Sequence, residues 1–312
     1  MFTVTEIISG KHILQMREEL LTGMRCKISP ERLNRRLDEA FQPPSPPDFC
    51  PFCPGGIQTV TPTFSDGNRI CIGDSVTFPN LFPFAAWHTV TVVTRDHYRE
   101  EFSHSEIRDA FLGQITSLQK ASGYKSINWN YLPSAGASIA HPHLQGMADR
   151  RPSPLPEKYL RSGFAYALRT GEKYGDDLRN HEQKTPRYLL GNELFWYAHF
   201  VPLGEREIRC IMPISCIEEF EPFIDDFVDG LLAMIRLYRS LGTHAFNLSL
   251  FFDRKKGRHF SAFCSMISRI NPNSSSTSDT AFMERLHLEP VILTPPEEVG
   301  RIFQNKRMQS LE

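Results

Sequence analysis

The residues best suited to chemistry in this sequence are two histidines and a glutamine at alternate positions, His141, His143 and Gln145. Alternate residues of an extended segment point to the same face, so these three polar side chains would line one wall of a site. Pro142 would point away from that wall, and its missing N–H suits the end or edge of a strand. Because core packing does not require this pattern, the segment is the first candidate for a functional site.

A second candidate lies in segment 41–56, where Cys50 and Cys53 are separated by two residues. This spacing lets both thiolates bind one tetrahedral metal ion. The segment contains so many Pro and Gly residues that we expect a turn-filled loop rather than a helix. The N-terminal residues lack the pattern of a secretory signal, which predicts a cytoplasmic protein with reduced thiols. The close cysteine pair therefore indicates a metal site rather than a disulfide.

Two histidines could complete a Cys2His2 zinc site. His141 is one, and His97 is preferred as the other because it directly follows a strand-like segment that could present it rigidly. His88 and His104 lie near His97 in the sequence and stay open as alternatives. If His141 binds zinc, His143 is the free imidazole of the pair.

A neutral imidazole is a good nucleophile toward phosphorus near its pKa of about 6.5. His143 could therefore form a covalent bond to a phosphoryl group, and Gln145 could donate hydrogen bonds to the phosphoryl oxygens. A group of arginines near the N-terminus could bind phosphate or could be an ordinary solvated surface. These arginines are Arg17, Arg32, Arg35 and Arg36.

The composition of the chain indicates which classes of partner this site could bind. The chain has 312 residues, a formal net charge of -1, 40% hydrophobic residues and 23% charged residues, as in ordinary globular proteins. The balanced charge argues against nucleic acid or an anionic membrane surface as a partner. The longest apolar stretch, 81–93, is interrupted by His88 and is shorter than the roughly 20 residues of a membrane span. The sequence thus predicts small-molecule ligands and no transmembrane helix.

The elements that position the two candidate sites are expected in residues 1–150, the catalytic and zinc-bearing half. Strands are predicted at 76–78, 89–94 and 126–131, and a helix is predicted at 103–123. Ser103 and Glu106 fit a capping box at the start of this helix. Residues 151–184 are predicted to link the halves and to include a helix at 156–168.

Residues 185–312 are expected to form a second half with the same order of elements. Strands are predicted near 194–201 and 208–213, followed by a helix at 217–241 and another strand pair. Ser215 and Glu218 would form the capping box of that helix. This order suggests an internal duplication. In a superposition of the halves, Phe260 lies opposite His141 and Ala262 opposite His143, so the second copy would lack the chemistry.

Four segments resemble the galactose-1-phosphate uridylyltransferase-like enzymes of the histidine triad superfamily. They are REELLTGMRCKISPER at 17–32, CPFCPG at 50–55, NLFP at 80–83 and GASIAHPHLQ at 136–145. The second half is similar more faintly, through NELFWYAHFVP and LEPVILTPPE. The resemblance implies an α+β fold of two fused histidine-triad-like halves, each an antiparallel sheet with packed helices. It also implies a homodimer and one structural zinc ion, in the first half.

The resemblance further implies a reaction in which His143 attacks the α-phosphate of a nucleotide sugar and carries the nucleotide to a second phosphate. UDP-hexose is the favoured donor and a sugar 1-phosphate the favoured acceptor. The implied zinc ligands are Cys50, Cys53, His97 and His141. Base or ribose contacts are implied for Asn80 and Phe82, and phosphate contacts for Arg17, Arg32, Asn130, Ser138 and Gln145.

Two alternatives stay open. The motif His-x-His-Leu-Gln, with Leu144 before Gln145, resembles that of the related diadenosine tetraphosphate and nucleotide-sugar phosphorylases. Those enzymes use inorganic phosphate or sulfate as acceptor. A non-catalytic, zinc-stabilised nucleotide-binding protein would fit the missing sugar-binding motif at 283–289. The second half has one histidine where some members hold a second metal, and no second metal is expected.

Overall fold

The computed structural model describes residues 1–34, 43–45, 47–270 and 278–309. It has a mixed α and β architecture, in which the strands of these residues form a four-stranded and a ten-stranded sheet. Within the same residues, no helix combines the length and apolar character needed to cross a membrane.

The smaller sheet joins the two ends of the chain. Its strands are β1 (Phe2–Ser9), β2 (His12–Glu19), β3 (Met24–Ile28) and β14 (Val291–Ile292). They lie in the order β1-β2-β3-β14, with the first three strands antiparallel and β14 parallel to β3.

The larger sheet consists of two five-stranded units joined edge to edge. The first unit contains β4 (Ile70–Ile72), β5 (Ser75–Pro79), β6 (Trp87–Val92), β7 (Tyr124–Tyr131) and β8 (His143–Asp149). The second contains β9 (Tyr188–Leu190), β10 (Phe195–Ala198), β11 (Ile208–Ile211), β12 (Ala245–Phe252) and β13 (Phe263–Arg269). Strands β7 and β12 pair antiparallel and join the units.

The helices pack on and between these sheets. They are α1 (Pro54–Val60), α2 (His104–Leu118), α3 (Pro154–Thr170), α4 (Tyr174–Glu182), α5 (Ile224–Ser240) and α6 (Pro296–Gln309). The helix expected at 156–168 is confirmed as α3. Shorter helical turns occur at Pro30–Asn34, Pro133–Ala135, Ile217–Glu219, Glu221–Phe223 and Met283–His287.

Helix α2 shows how local sequence produces these elements. The predicted capping box is confirmed, because the Ser103 side chain accepts from the Glu106 N–H and the Glu106 side chain accepts from the Ser103 N–H. The apolar stripe of the helix, from Ile107 to Leu118, is buried against the sheet. The helix ends at Leu118, the last residue of this stripe, several residues before the expected boundary at 123.

The strand order supports an internal duplication. It is β4-β5-β6-β8-β7 in the first unit and β9-β10-β11-β13-β12 in the second, so the two units have the same topology. In each unit the long helix, α2 or α5, follows the third strand and precedes the last two. The division into domains at residues 150 and 185 stays a prediction.

The ladder register corrects the expected superposition of the halves. Val92 pairs with His143 at the end of β6, and Ile211 pairs with Phe263 at the end of β11. Phe263, not Ala262, is therefore the counterpart of His143, and the expected match for His141 is displaced by one residue in the same way. Hydrogen bonds between the strands set this register, and the side-chain types alone do not indicate which residues pair. The second half still lacks both histidines.

Two further expectations are wrong at element boundaries. Helix α1 begins inside the segment expected to be a loop, with Cys53 as its N-cap and Pro54 as its first residue. Proline is favoured at this position because the N–H it lacks would have no helical partner. Two short 3-10 turns replace the first part of the helix expected at 217–241, because Pro222 interrupts the α-helical hydrogen bonds. There, Ser215 bonds to Glu219 instead of Glu218.

Candidate functional site

Four side chains converge on one point of the first half. The ligand atoms of Cys50, Cys53, His97 and His141 all lie within 4.8 Å of one another. His141 Nδ1 is 3.8 Å from Cys50 Sγ and 3.6 Å from Cys53 Sγ, and His97 Nδ1 is 3.7 Å from Cys53 Sγ. Tetrahedral zinc with ordinary bond lengths places S and N ligands about 3.6 Å apart. The group can therefore hold a metal ion, and its donor set suits zinc.

The backbone around this group fixes its geometry. Cys50 and Cys53 flank the turn that begins α1, and the Cys53 carbonyl accepts the Gly56 N–H at 2.8 Å. A Cβ at Gly56 would lie 2.4 Å from the Cys50 carbonyl oxygen, so only glycine fits there. His141 donates its Nε2–H to the Thr94 carbonyl at 2.7 Å, which leaves Nδ1 for the metal.

The other two histidines considered as ligands lie elsewhere. His104 begins α2, where its Nε2 lies 3.7 Å from a carboxylate oxygen of Asp225. His88 lies on β6, with its Nε2 2.9 Å from the side-chain oxygen of Gln145. Of the candidates, His97 is the one that joins His141 and the two cysteines.

His143 is the first residue of β8, directly beside the four candidate metal ligands. Its side chain is 5% exposed, and its Nδ1 lies 2.8 Å from the His141 carbonyl oxygen. That nitrogen must donate, because a carbonyl oxygen only accepts, so Nε2 of the neutral ring keeps its lone pair. Burial lowers the pKa of His143 and favours this neutral form. The Phe52 ring packs edge-on at 5.1 Å and holds the imidazole in place.

Gln145 follows two residues later on the same face of β8, as the alternation predicts. Its main-chain carbonyl accepts from Asn128 Nδ2 at 3.3 Å, and its side chain contacts His88. In the sequence, His88 is a candidate metal ligand only. Its link to Gln145 could have been found only with the β6–β8 register, because Gln145 pairs with Val90, two residues from His88 on the same face.

The turn between β5 and β6 brings the residues expected to contact the base or ribose close to Gln145. Asn80 Oδ1 accepts the Phe82 N–H at 2.9 Å, and Asn80 Nδ2 lies 3.1 Å from His88 Nε2. Phe82 is 80% exposed, and the nearby Phe84 ring lies 4.3 Å from the His88 ring. The predicted pair Asn80 and Phe82 is thus connected to Gln145 through His88.

Asn130 and Ser138 take different positions. Asn130 lies on β7, where its Oδ1 accepts from Asn247 Nδ2 at 2.7 Å across the junction of the two halves. Asn247 belongs to β12 and was not found by sequence reasoning, because nothing local indicates that the halves meet there. Ser138 is exposed in the bend that precedes His141.

The arginines expected to contact phosphate differ in their availability. Arg17 is 5% exposed, and all five of its N–H groups donate to Gln15, Glu297 and the Phe200 carbonyl. Such a guanidinium has no free donor for a phosphate. The structure therefore gives Arg17 a role in joining β2 to α6. Arg32 is exposed on a 3-10 turn, and Arg35 and Arg36 lie outside the described residues.

Comparisons with known proteins identify the fold. No protein-family model matches the sequence. An uncharacterized protein of Archaeoglobus fulgidus is 26% identical over 315 residues, covering 95% of this chain and 94% of that protein. An ADP-glucose phosphorylase from Arabidopsis thaliana, solved with bound ADP-glucose, has a TM-score of 0.72 and 18% identity, covering 93% of this chain and 98% of the other.

Two further structures have the same fold. A galT-like protein from Arabidopsis thaliana has a TM-score of 0.73 and 16% identity, and the alignment covers 93% of this chain and 98% of that chain. A uridylyltransferase structure has a TM-score of 0.70 and 16% identity, covering 95% of this chain and 99% of the other. The expected fold class is confirmed.

Proposed function

We propose that this chain, which has the fold of the galactose-1-phosphate uridylyltransferase-like proteins, is an enzyme that transfers a nucleotidyl group through His143. The observation that carries the proposal is the hydrogen bond from His143 Nδ1 to the His141 carbonyl, which leaves Nε2 as a nucleophile. A uridylyltransferase and an ADP-glucose phosphorylase share the fold and support this general reaction class.

In the first step, His143 Nε2 attacks the α-phosphorus of a nucleoside diphosphate sugar. An N–P bond forms while the P–O bond to the β-phosphate breaks, and sugar 1-phosphate leaves with the electron pair. The leaving phosphate is a weak base, so it departs without a proton. Gln145 would stabilise the charge on the phosphoryl oxygens by hydrogen bonding.

In the second step, a phosphate oxygen of the acceptor attacks the same phosphorus. The new P–O bond forms as the N–P bond breaks, and Nε2 regains its lone pair. Zinc held by the two cysteines and two histidines would fix the loop before α1 to the start of β8. That ion would act structurally, because His141 would bind it through Nδ1 while its carbonyl orients His143.

The substrates are proposed from the same resemblance. A UDP-hexose donor and a sugar 1-phosphate acceptor are preferred, with a homodimer as the assembly and the cytoplasm as the location. Inorganic phosphate is the second candidate acceptor. Two observations favour it: Leu144 between His143 and Gln145, and the fold shared with an ADP-glucose phosphorylase.

Intact-protein mass spectrometry tests the proposal. Purified zinc-loaded protein is mixed separately with UDP-, ADP- and GDP-glucose without acceptor, and any adduct is mapped by peptide sequencing. We expect a gain of one nucleoside monophosphate on His143, absent from His143→Asn and retained in the control His104→Asn. Addition of galactose 1-phosphate or inorganic phosphate then identifies the acceptor that removes the nucleotide.

The opposite result is equally informative. If no donor gives an adduct while nucleotides bind saturably, the enzymatic proposal is wrong and the protein is a nucleotide-binding protein. An adduct that persists in His143→Asn would also contradict the proposal, because the nucleophile would then be another residue.

A further inference from the structure

A side-chain contact occurs at equivalent positions in both halves of the large sheet. In the first half, His88 Nε2 lies 2.9 Å from Gln145 Oε1. In the second half, Ser265 donates its hydroxyl to Glu207 Oε1 at 2.6 Å. The ladder register makes Glu207 the counterpart of His88 and Ser265 the counterpart of Gln145. The contact is therefore a repeated feature of the fold.

The turn before this contact is repeated as well. The Phe84 N–H donates to His88 Nδ1 at 3.3 Å, and the Leu203 N–H donates to Glu207 Oε2 at 2.6 Å. In both halves, the side chain accepts a backbone N–H from the turn and meets a side chain of the neighbouring strand. The halves differ only in which group donates across the strands.

The turn determines which nitrogen of His88 carries the proton. A ring nitrogen that accepts the Phe84 N–H has no hydrogen, so the proton of neutral His88 lies on Nε2. This nitrogen faces the Gln145 oxygen, which accepts. Asn80 Nδ2 lies 3.1 Å from the same nitrogen and would favour the opposite tautomer. The contacts with the Phe84 N–H and the Gln145 oxygen both favour a protonated Nε2 and outweigh it. Burial lowers the pKa of His88 and keeps the ring neutral.

We propose that His88 is a positioning residue that holds the oxygen of the Gln145 amide and so turns its NH2 group toward the phosphoryl oxygens. The inference rests on the proposed function. A freely rotating amide presents its oxygen as readily as its NH2 group, and an oxygen would repel the anionic phosphoryl group. In the second half, Glu207 can only accept and Ser265 has no amide, so the equivalent contact cannot serve this purpose.

The tautomer of His88 can be measured without any assumption about activity. In protein labelled with 15N at histidine, long-range 1H–15N correlations distinguish a protonated Nε2 from a protonated Nδ1, and loss of the signal in His88→Asn provides the assignment. We expect the Nε2–H tautomer. A protonated Nδ1 would overturn the proposal.

Two variants of His88 separate positioning from packing. The amide of His88→Gln reaches the position of Nε2, whereas that of His88→Asn reaches only Nδ1. We expect His88→Asn to slow formation of the His143 adduct by about 10- to 100-fold with little change in nucleotide affinity, and His88→Gln to restore most of the rate. The control Ser265→Ala, which removes the equivalent contact in the second half, should react at the wild-type rate.

A double-mutant cycle shows whether His88 acts through Gln145. Gln145→Leu by itself should form the His143 adduct slowly, and adding His88→Asn to this variant should not lower the rate further. If the two effects multiply, or if His88→Asn changes only the affinity, the proposal is wrong. Failure of the proposed function has a different signature, because wild-type protein would then form no adduct with any donor.

Discussion

The two halves of the large sheet share topology and register but use the same face in different ways. In the first half, this face carries His143 and Gln145, with His143 fixed by hydrogen bonding and aromatic packing. In the second, Phe263 replaces His143, and Arg209 donates to Glu207 at 2.7 Å within the sheet. The first half carries groups that can react with phosphorus, and the second holds an ion pair.

Elements from elsewhere in the chain bury this ion pair. Glu19 from β2 accepts the hydroxyls of Tyr159 and Tyr174, which come from α3 and α4. Arg209 donates to the same Tyr159 hydroxyl. The second half thus uses its polar residues to attach the small sheet and two helices. Equivalent positions of two units with the same topology can therefore serve chemistry in one unit and assembly in the other.

Loss of the metal should destabilise the first half far more than the second. Cys53→Ser, or removal of the metal by a chelator, should lower the free energy of unfolding by more than about 4 kcal/mol, because structural zinc binding contributes on the order of 10 kcal/mol. Hydrogen exchange should show lost protection in α1 and β8 before β12 and β13. Cys216→Ser, in the second half, is the control. Equal loss in both halves would contradict the asymmetry.

A smaller effect is expected from the ion pair of the second half. Arg209→Met leaves the Glu207 carboxylate buried without its partner and should cost about 3–5 kcal/mol, measured by urea denaturation. The double variant with Glu207→Gln should recover part of that loss, because the unpaired charge is removed. The folded fraction of Arg209→Met should still form the His143 adduct. A variant as stable as wild type would show that the pair is not structural.

Acid should lower the stability of the protein by protonating Glu19, which contacts the same buried residues. Burial raises the pKa of Glu19, but His199 and Arg209 outweigh it and lower the pKa from 4.5 to about 2. The folded-state pKa lies below the unfolded value, so the carboxylate stabilises the fold above pH 4.5 and this contribution is lost toward pH 2. The contribution is about 3 kcal/mol.

Urea unfolding measured between pH 7 and pH 2.5 tests this contribution. Glu19→Gln should be less stable than wild type at pH 7, and the difference should shrink as the pH falls. Glu18→Gln, on the opposite face of β2, is the control and should follow the wild-type curve. A difference that does not depend on pH would contradict the assignment to Glu19.

The smallest effect concerns the long helices of the two halves. Helix α2 begins with a capping box, whereas α5 begins after 3-10 turns with no side-chain cap. Ser103→Ala should therefore destabilise the protein by about 1 kcal/mol, while Ser105→Ala, two residues later in the first turn, should have little effect. Thermal unfolding of both variants provides the comparison, and equal stabilities would show that the cap is unimportant.

Much of the candidate site was predictable because its signals are local. The spacing of Cys50 and Cys53 and the alternation of His143 with Gln145 depend only on the geometry of a turn and a strand. The capping box of α2 is local in the same sense. The boundary of α1 was missed because a proline that interrupts a helix is also favoured at its first position.

The types and spacing of the residues indicated which side chains could bind a metal or attack phosphorus, and which of them share a strand face. The packing of the folded chain is what brings His97 to His141 and the two cysteines, His88 to Gln145 and Arg17 to Glu297. These contacts join residues from separate elements, so sheet register and packing create them. Local spacing carries no information about either, because register depends on ladder hydrogen bonds between strands far apart in the chain.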